Sequence, residues 1–118
     1  MNAQRGAIVL VPFPFTDLTQ QKPRPAVVVS SERFNRQSDD AILVALSSNT
    51  KRPLADTDFV IWADDEDFAG TGLRLSSVVR CGKLVTMHQS LILTKLGTMN
   101  DQRMTNILSL VTKALGLN

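Results

Sequence analysis

Short apolar runs separated by turn residues fill the first half of the chain. AIVLVPF (Ala7 to Phe13), AVVVSS (Ala26 to Ser31), AILVAL (Ala41 to Leu46) and DFVIW (Asp58 to Trp62) are rich in β-branched residues and predict strands. Pro12 and Pro14 cannot donate ladder hydrogen bonds, so the first strand is expected to bend or to lie at an edge there. Leu75–Arg80, Leu84–Met87 and Leu91–Leu96 predict three more strands. The last element has another period. Met104, Ile107, Leu108, Val111 and Leu115 fall at offsets 0, 3, 4, 7 and 11, the stripe of an amphipathic helix. Asn100 can cap its start, Asp101 suits its N-terminal dipole, and Gly116 can end it. Strands with no helix between them, then one helix, predict a mainly β fold with a C-terminal helix. A small barrel closed or covered by that helix satisfies the strand edges, and a doubly wound α/β sheet is excluded.

Composition narrows the class. The 118 residues carry no linker, repeat or low-complexity tract, so residues 1–118 form one domain. Hydrophobic residues make up 43% and charged residues 20%, enough for a packed core. A chain this small buries only roughly two thirds of its unfolded surface, so a homodimer interface would add stability. The single cysteine, Cys81, rules out an internal disulfide and a Cys-rich metal site, and suits a reducing cytosol. No run of 18 apolar residues suggests a membrane helix. The N-terminus meets prolines without a small-residue cleavage site, so it reads as a strand rather than a signal peptide. Net charge is +2, unevenly spread: residues 1–67 hold seven Lys/Arg against ten Asp/Glu, and residues 68–118 hold six against Asp101 alone. A phosphate-facing surface or a balanced solvated face would each produce this.

Few residues offer chemistry. Asp64, Asp65, Glu66 and Asp67 lack the alternating ligands and central glycine of a calcium loop and are expected to form a solvated loop. No spacing suggests a metal site or a bound cofactor. His88, the only histidine, has no paired nucleophile and reads as a surface or strand-end residue. Trp62 is expected to pack in the core. With 5% aromatics and no Tyr, an aromatic peptide-binding module gains little support. Arg24 stands out between Pro23 and Pro25, which restrict the backbone on both sides. A guanidinium on a stiff stem suits phosphate recognition; an ion pair at a strand end is the alternative.

The segments GAIVLVPF and KPRPAVVVS, followed by ILVALSSNT and LRLSSVVRCGKLVTMHQSLILTKLGTM, resemble the MazF/PemK toxins, in a PemK-like branch, over essentially the whole chain. The resemblance implies an SH3-like barrel that forms a homodimer and cuts single-stranded RNA without a metal. In that chemistry the 2′-hydroxyl attacks the adjacent phosphate, leaving a 2′,3′-cyclic phosphate and a 5′-hydroxyl. It implies a cognate antitoxin, with a disordered acidic segment laid into the RNA groove, and operator DNA bound as the toxin–antitoxin complex. Arg24 matches the family's catalytic arginine, and Ser47, with Ser48 beside it, matches the hydroxyl at the end of the third strand. Lys22, Asp17, Gln20, Ser77, Arg80 and Lys83 are the expected RNA-binding residues. Two departures stand out. Gln20 replaces a glutamate found in many relatives, and the later strand lacks an acid, with Asp17 the nearest substitute. Arginine is a poor base at its normal pKa, so the general base stays open. The alternative is a catalytically weak or inactive homologue that binds only antitoxin and operator DNA.

Overall fold

The computed structural model describes residues 3–12 and 22–117. Its elements are β1 (Ala7–Val11), β2 (Arg24–Val28), α1 (Glu32–Ser38), β3 (Asp40–Ser47), β4 (Asp58–Ile61), α2 (Phe68–Thr71), β5 (Ser77–His88), β6 (Thr94–Thr98) and α3 (Asp101–Leu115). The strands form one antiparallel sheet in the order β4-β5-β3-β2-β1-β6, with α3 over one face. The expected mainly β architecture with a C-terminal helix is present. It is a half-barrel rather than a closed one, since β4 and β6 remain its two edges.

Three expectations change in detail. The first strand is interior, between β2 and β6, and Pro12 follows its last residue, where no ladder bond is lost. Phe13 and Pro14 lie outside the described residues. The two strands expected at Leu75–Arg80 and Leu84–Met87 are one strand, β5. Its polar interruption is a bulge: Val44 pairs with Leu84 and Ala45 with Arg80, so Cys81, Gly82 and Lys83 are looped out of the β3–β5 register. Such a bulge bends the strand and curls the sheet. The last strand starts later than expected, because Gln89–Leu91 forms a single 3₁₀ turn. The unexpected α1 is too short to show a helical period. It starts where the Ser31 hydroxyl accepts the Phe34 amide at 3.1 Å, and it ends at Asp39, with φ of 58°.

Alternation along the strands makes two apolar layers. Ile8, Val27, Val44, Leu46, Ile61, Val79 and Cys81 face Met104 and Ile107 of α3; Val9, Val11, Val28 and Leu43 face the other way. Each full burial of such a side chain contributes about 1.5–3 kcal/mol. Burial, then the charge of Asp58, pushes the Cys81 thiol up to about 12, so it packs as an apolar group. The helix has the expected caps: Asn100 Oδ1 accepts the Arg103 amide at 2.8 Å, and Gly116 adopts φ of 71°. Leu115, at the far end of the stripe, is exposed.

Trp62 is 50% exposed, not a core residue. Phe59 and Ile61 point at the helix, so the next residue falls on the outer side of an edge strand. The acidic run is likewise not simply solvated. Arg103 Nε donates to Asp67 at 2.6 Å, and its Nη2 donates to both Asp65 and Asp67 at 2.9 Å. Asn100 donates to Asp67 at 2.8 Å. These bonds tie the β4–α2 loop to the first turn of α3. The Arg103 hydrogen bonds hold the Asp67 carboxyl below the usual carboxylate range. A carboxyl lowered in the folded state stabilises fully above its unfolded pKa of ~3.9, and the benefit is lost as pH falls through the lower folded value. Urea midpoints of the wild type should therefore drop below about pH 4, and those of Asp67→Asn should drop less. Parallel curves for the two proteins would show that the latch does not contribute.

A short backbone contact joins α2 to β6. A Cβ on Gly72 would overlap the Leu96 carbonyl, and one on Gly97 would overlap the Gly70 and Thr71 backbone. Only glycine permits the two segments to approach this closely. Among the described residues no helix is long and apolar enough to cross a membrane.

Candidate nucleic-acid interface

Arg24 opens β2, opposite Val11. Pro25 pairs with Leu10 on the β1 side, while the β2–β3 ladder begins only at Ala26, so the proline removes no bond from it. The two prolines thus fix the arginine's backbone where the sheet starts. Ser47 ends β3 opposite Val78, and its hydroxyl accepts the Asn49 amide at 3.2 Å. Ser48 is exposed in the turn that follows. Ser77 begins β5; it is buried, and its hydroxyl donates to the Leu75 carbonyl at 2.9 Å. Arg80 lies between Ala45 on one side and Asp58 on the other.

These strand ends surround one groove of about 730 Å³. It is lined by Lys22, Arg24, Ser47, Ser48, Ser77 and Arg80, all expected from the sequence. The apolar Leu46, fully buried, forms part of its floor. Two further cations, Arg52 and Arg74, complete the rim. Neither stood out in the sequence, because each sits in a loop whose position depends on the tertiary fold. Five cationic side chains line the groove and no acidic one does, among the described residues. The side chains of Arg52, Arg74 and Arg80 make no hydrogen bond or ion pair to any described residue.

Other expected residues fall elsewhere. Lys83 sits in the β5 bulge rather than in the groove lining. Partial burial, then the charges of Arg80 and Arg52, holds its ammonium below the usual lysine range. Asp17 and Gln20 lie outside the described residues. His88 is at the far end of β5, opposite Asp40, with Nδ1 at 2.7 Å from the Ser90 hydroxyl. Among the described residues no group of three His, Cys, Asp or Glu side chains is placed to hold a metal ion.

Unpaired guanidinium groups on a fixed frame, beside hydroxyl donors and above an apolar floor, suit an anionic polymer better than a neutral ligand. The fold and groove define a class of small β half-barrels with a C-terminal helix and a cationic strand-end groove. The chain belongs to the PemK-like, MazF-like toxins of type II toxin–antitoxin systems; the family's model matches residues 4–115. No curated protein matches the sequence. Among solved structures, an endoribonuclease in complex with its cognate antitoxin from a mycobacterial species is 22% identical. That match covers 98% of this chain and 97% of the other, with a TM-score of 0.75. The MazE–MazF crystal structure from Deinococcus radiodurans is 15% identical, covering 100% and 99%, also with a TM-score of 0.75. The Mycobacterium tuberculosis toxin MazF-mt6 is 18% identical, covering 97% and 99%, with a TM-score of 0.72. At these identities the likeness establishes the fold.

Proposed function

We propose that this protein is a toxin endoribonuclease that cuts single-stranded RNA without a metal. The observation that carries this is the groove: among the described residues it unites Arg24 and Ser47 with Arg52, Arg74 and Arg80 and no acid, in a chain of a toxin family. Solved structures of the same fold include endoribonucleases, one of them with its antitoxin. In the proposed reaction the 2′-oxygen forms a bond to phosphorus and the P–O5′ bond breaks. The 2′-proton leaves to a base, and the departing 5′-oxygen gains a proton. Arg24, half-buried and fixed by its prolines, meets the charge that grows on the phosphorane oxygens. The Ser47 hydroxyl can turn toward the same phosphate, with Ser48 beside it. Lys22, Ser77 and Arg80 line the path of the strand. Among the described residues the groove offers guanidinium and hydroxyl donors, which bind phosphate directly, and no carboxylate or imidazole.

Incubating the protein with a defined RNA in EDTA and mapping the ends tests this. Cyclic phosphate and 5′-hydroxyl ends are expected; intact RNA, or cutting that needs added metal, overturns it. The second reading, a weak or inactive homologue acting through antitoxin and operator DNA, is favoured by one observation. No described residue lining the groove could act as a base near neutral pH. With Gln20 in place of the glutamate of many relatives, Asp17 is the carboxylate on which that choice turns.

The partners proposed are a cognate antitoxin, whose acidic segment would meet the groove's cations, operator DNA bound by the pair, and a second copy of this chain in the cytoplasm. The homodimer is motivated by the small core. Sedimentation at micromolar concentration should show twice the chain mass, and a monomer alone would refute it.

A further inference from the structure

Arg52 and Arg74 take no visible part in holding the fold together. Both are exposed, and neither bonds to another described residue. Arg52 borders two hollows at once: the main groove, and a smaller recess it shares with Ser47, Asn49, Asp58 and Arg80. It is near enough to Arg80 and Lys83 for its charge and that of Arg80 to act on the Lys83 ammonium. The one acid on the recess among the described residues, Asp58, accepts the Ala55 amide at 3.0 Å. Like charges gathered without a bridging acid oppose folding, and a polyanion laid across them removes that cost.

Arg74 comes from the loop that joins α2 to β5. Two residues before it, Gly72 at the end of α2 meets the Leu96 carbonyl of β6, and Gly97, in the same strand, meets the Thr71 backbone. This clasp fixes the loop's backbone against the sheet. Arg74 is thus a long cation on a set stem, on a rim segment separate from those that carry Arg24 and Arg52. Each arginine is worth little as a structural group and is well placed as a phosphate ligand.

We propose that Arg52 and Arg74 are substrate-positioning residues, each holding an RNA phosphate that flanks the one at Arg24. The proposal rests on the ribonuclease reading. It assigns these two residues to grip, not to the bond-making step.

The test uses the Arg52→Ala/Arg74→Ala double variant of the full chain. Binding is measured against salt with a 2′-O-methyl oligonucleotide, which lacks the attacking hydroxyl. Each phosphate contact on single-stranded nucleic acid contributes a log–log slope of about 0.7, so the double variant should be shallower by about 1.4. At roughly tenfold per lost charged contact, KM for a cut RNA should rise about a hundredfold while kcat falls far less. Arg52→Lys/Arg74→Lys keeps both charges and should restore most of the slope. An unchanged slope, or a collapse of kcat at constant KM, overturns the proposal. If the wild type cuts no RNA, the ribonuclease reading fails on that result alone, while the salt slope still reports whether the two arginines hold phosphates.

Discussion

Arg24→Ala should lower RNA cleavage by roughly 10²–10³, the usual loss for one preorganised donor to a developing oxyanion, while the protein stays folded. The variant should fold because Arg24 begins β2 and contributes nothing to either apolar layer. The loss should fall on kcat, since the charge Arg24 meets is greatest in the transition state. Arg24→Lys should rescue poorly. Lysine keeps the charge but loses the planar fork that can hold two phosphoryl oxygens at once. A gel assay on one RNA, with wild type and both variants, decides the matter. Cutting at the wild-type rate by Arg24→Ala would remove this residue from the site. Removal of Arg52 and Arg74 should instead act mainly on KM.

Gly72→Ala should destabilise the protein by about 2–5 kcal/mol. One part is conformational, because φ of 71° places alanine in the left-handed region at a cost of about 1–2 kcal/mol. The other is steric. The new methyl would overlap the Leu96 carbonyl, which belongs to β6 and cannot swing aside as a side chain would, and such overpacking costs about 1–3 kcal/mol. Urea denaturation should show a lower midpoint with an unchanged slope. Gly70→Ala is the control, because nothing lies within 4 Å of its added methyl. Equal midpoints for the two variants would mean that the clasp yields without cost. Where Gly72→Ala remains folded, it should also bind RNA more weakly, since Arg74 stands two residues beyond it.

Most of the fold was legible because the signals were local. Strands with alternating burial, such as Ala41–Leu46, and a capped helix from Asn100 to Gly116 need only their own residues to be recognised. What escaped depended on partners distant in sequence. Cys-Gly-Lys reads as a break between two strands until β3 supplies the ladder that makes it a bulge. Trp62 reads as core until the sheet order places it on an edge. The acidic run reads as solvated until α3 brings Arg103 to it. The site divides in the same way. Arg24 was visible from its flanking prolines, and Ser47 only through the family resemblance at the end of the third strand. Arg52 and Arg74 have no distinguishing neighbours, and only folding carries them to the groove.

The groove is assembled from segments scattered between Leu10 and Leu96, and no two consecutive elements contain it. Every cation of its rim has been translated by residue 80, yet the strand ends that hold them share a core completed by Met104 and Ile107. A ribosome that has just made Arg80 thus holds all the charges of the groove and none of its shape. The core beneath the groove is complete only once the last helix is available to pack.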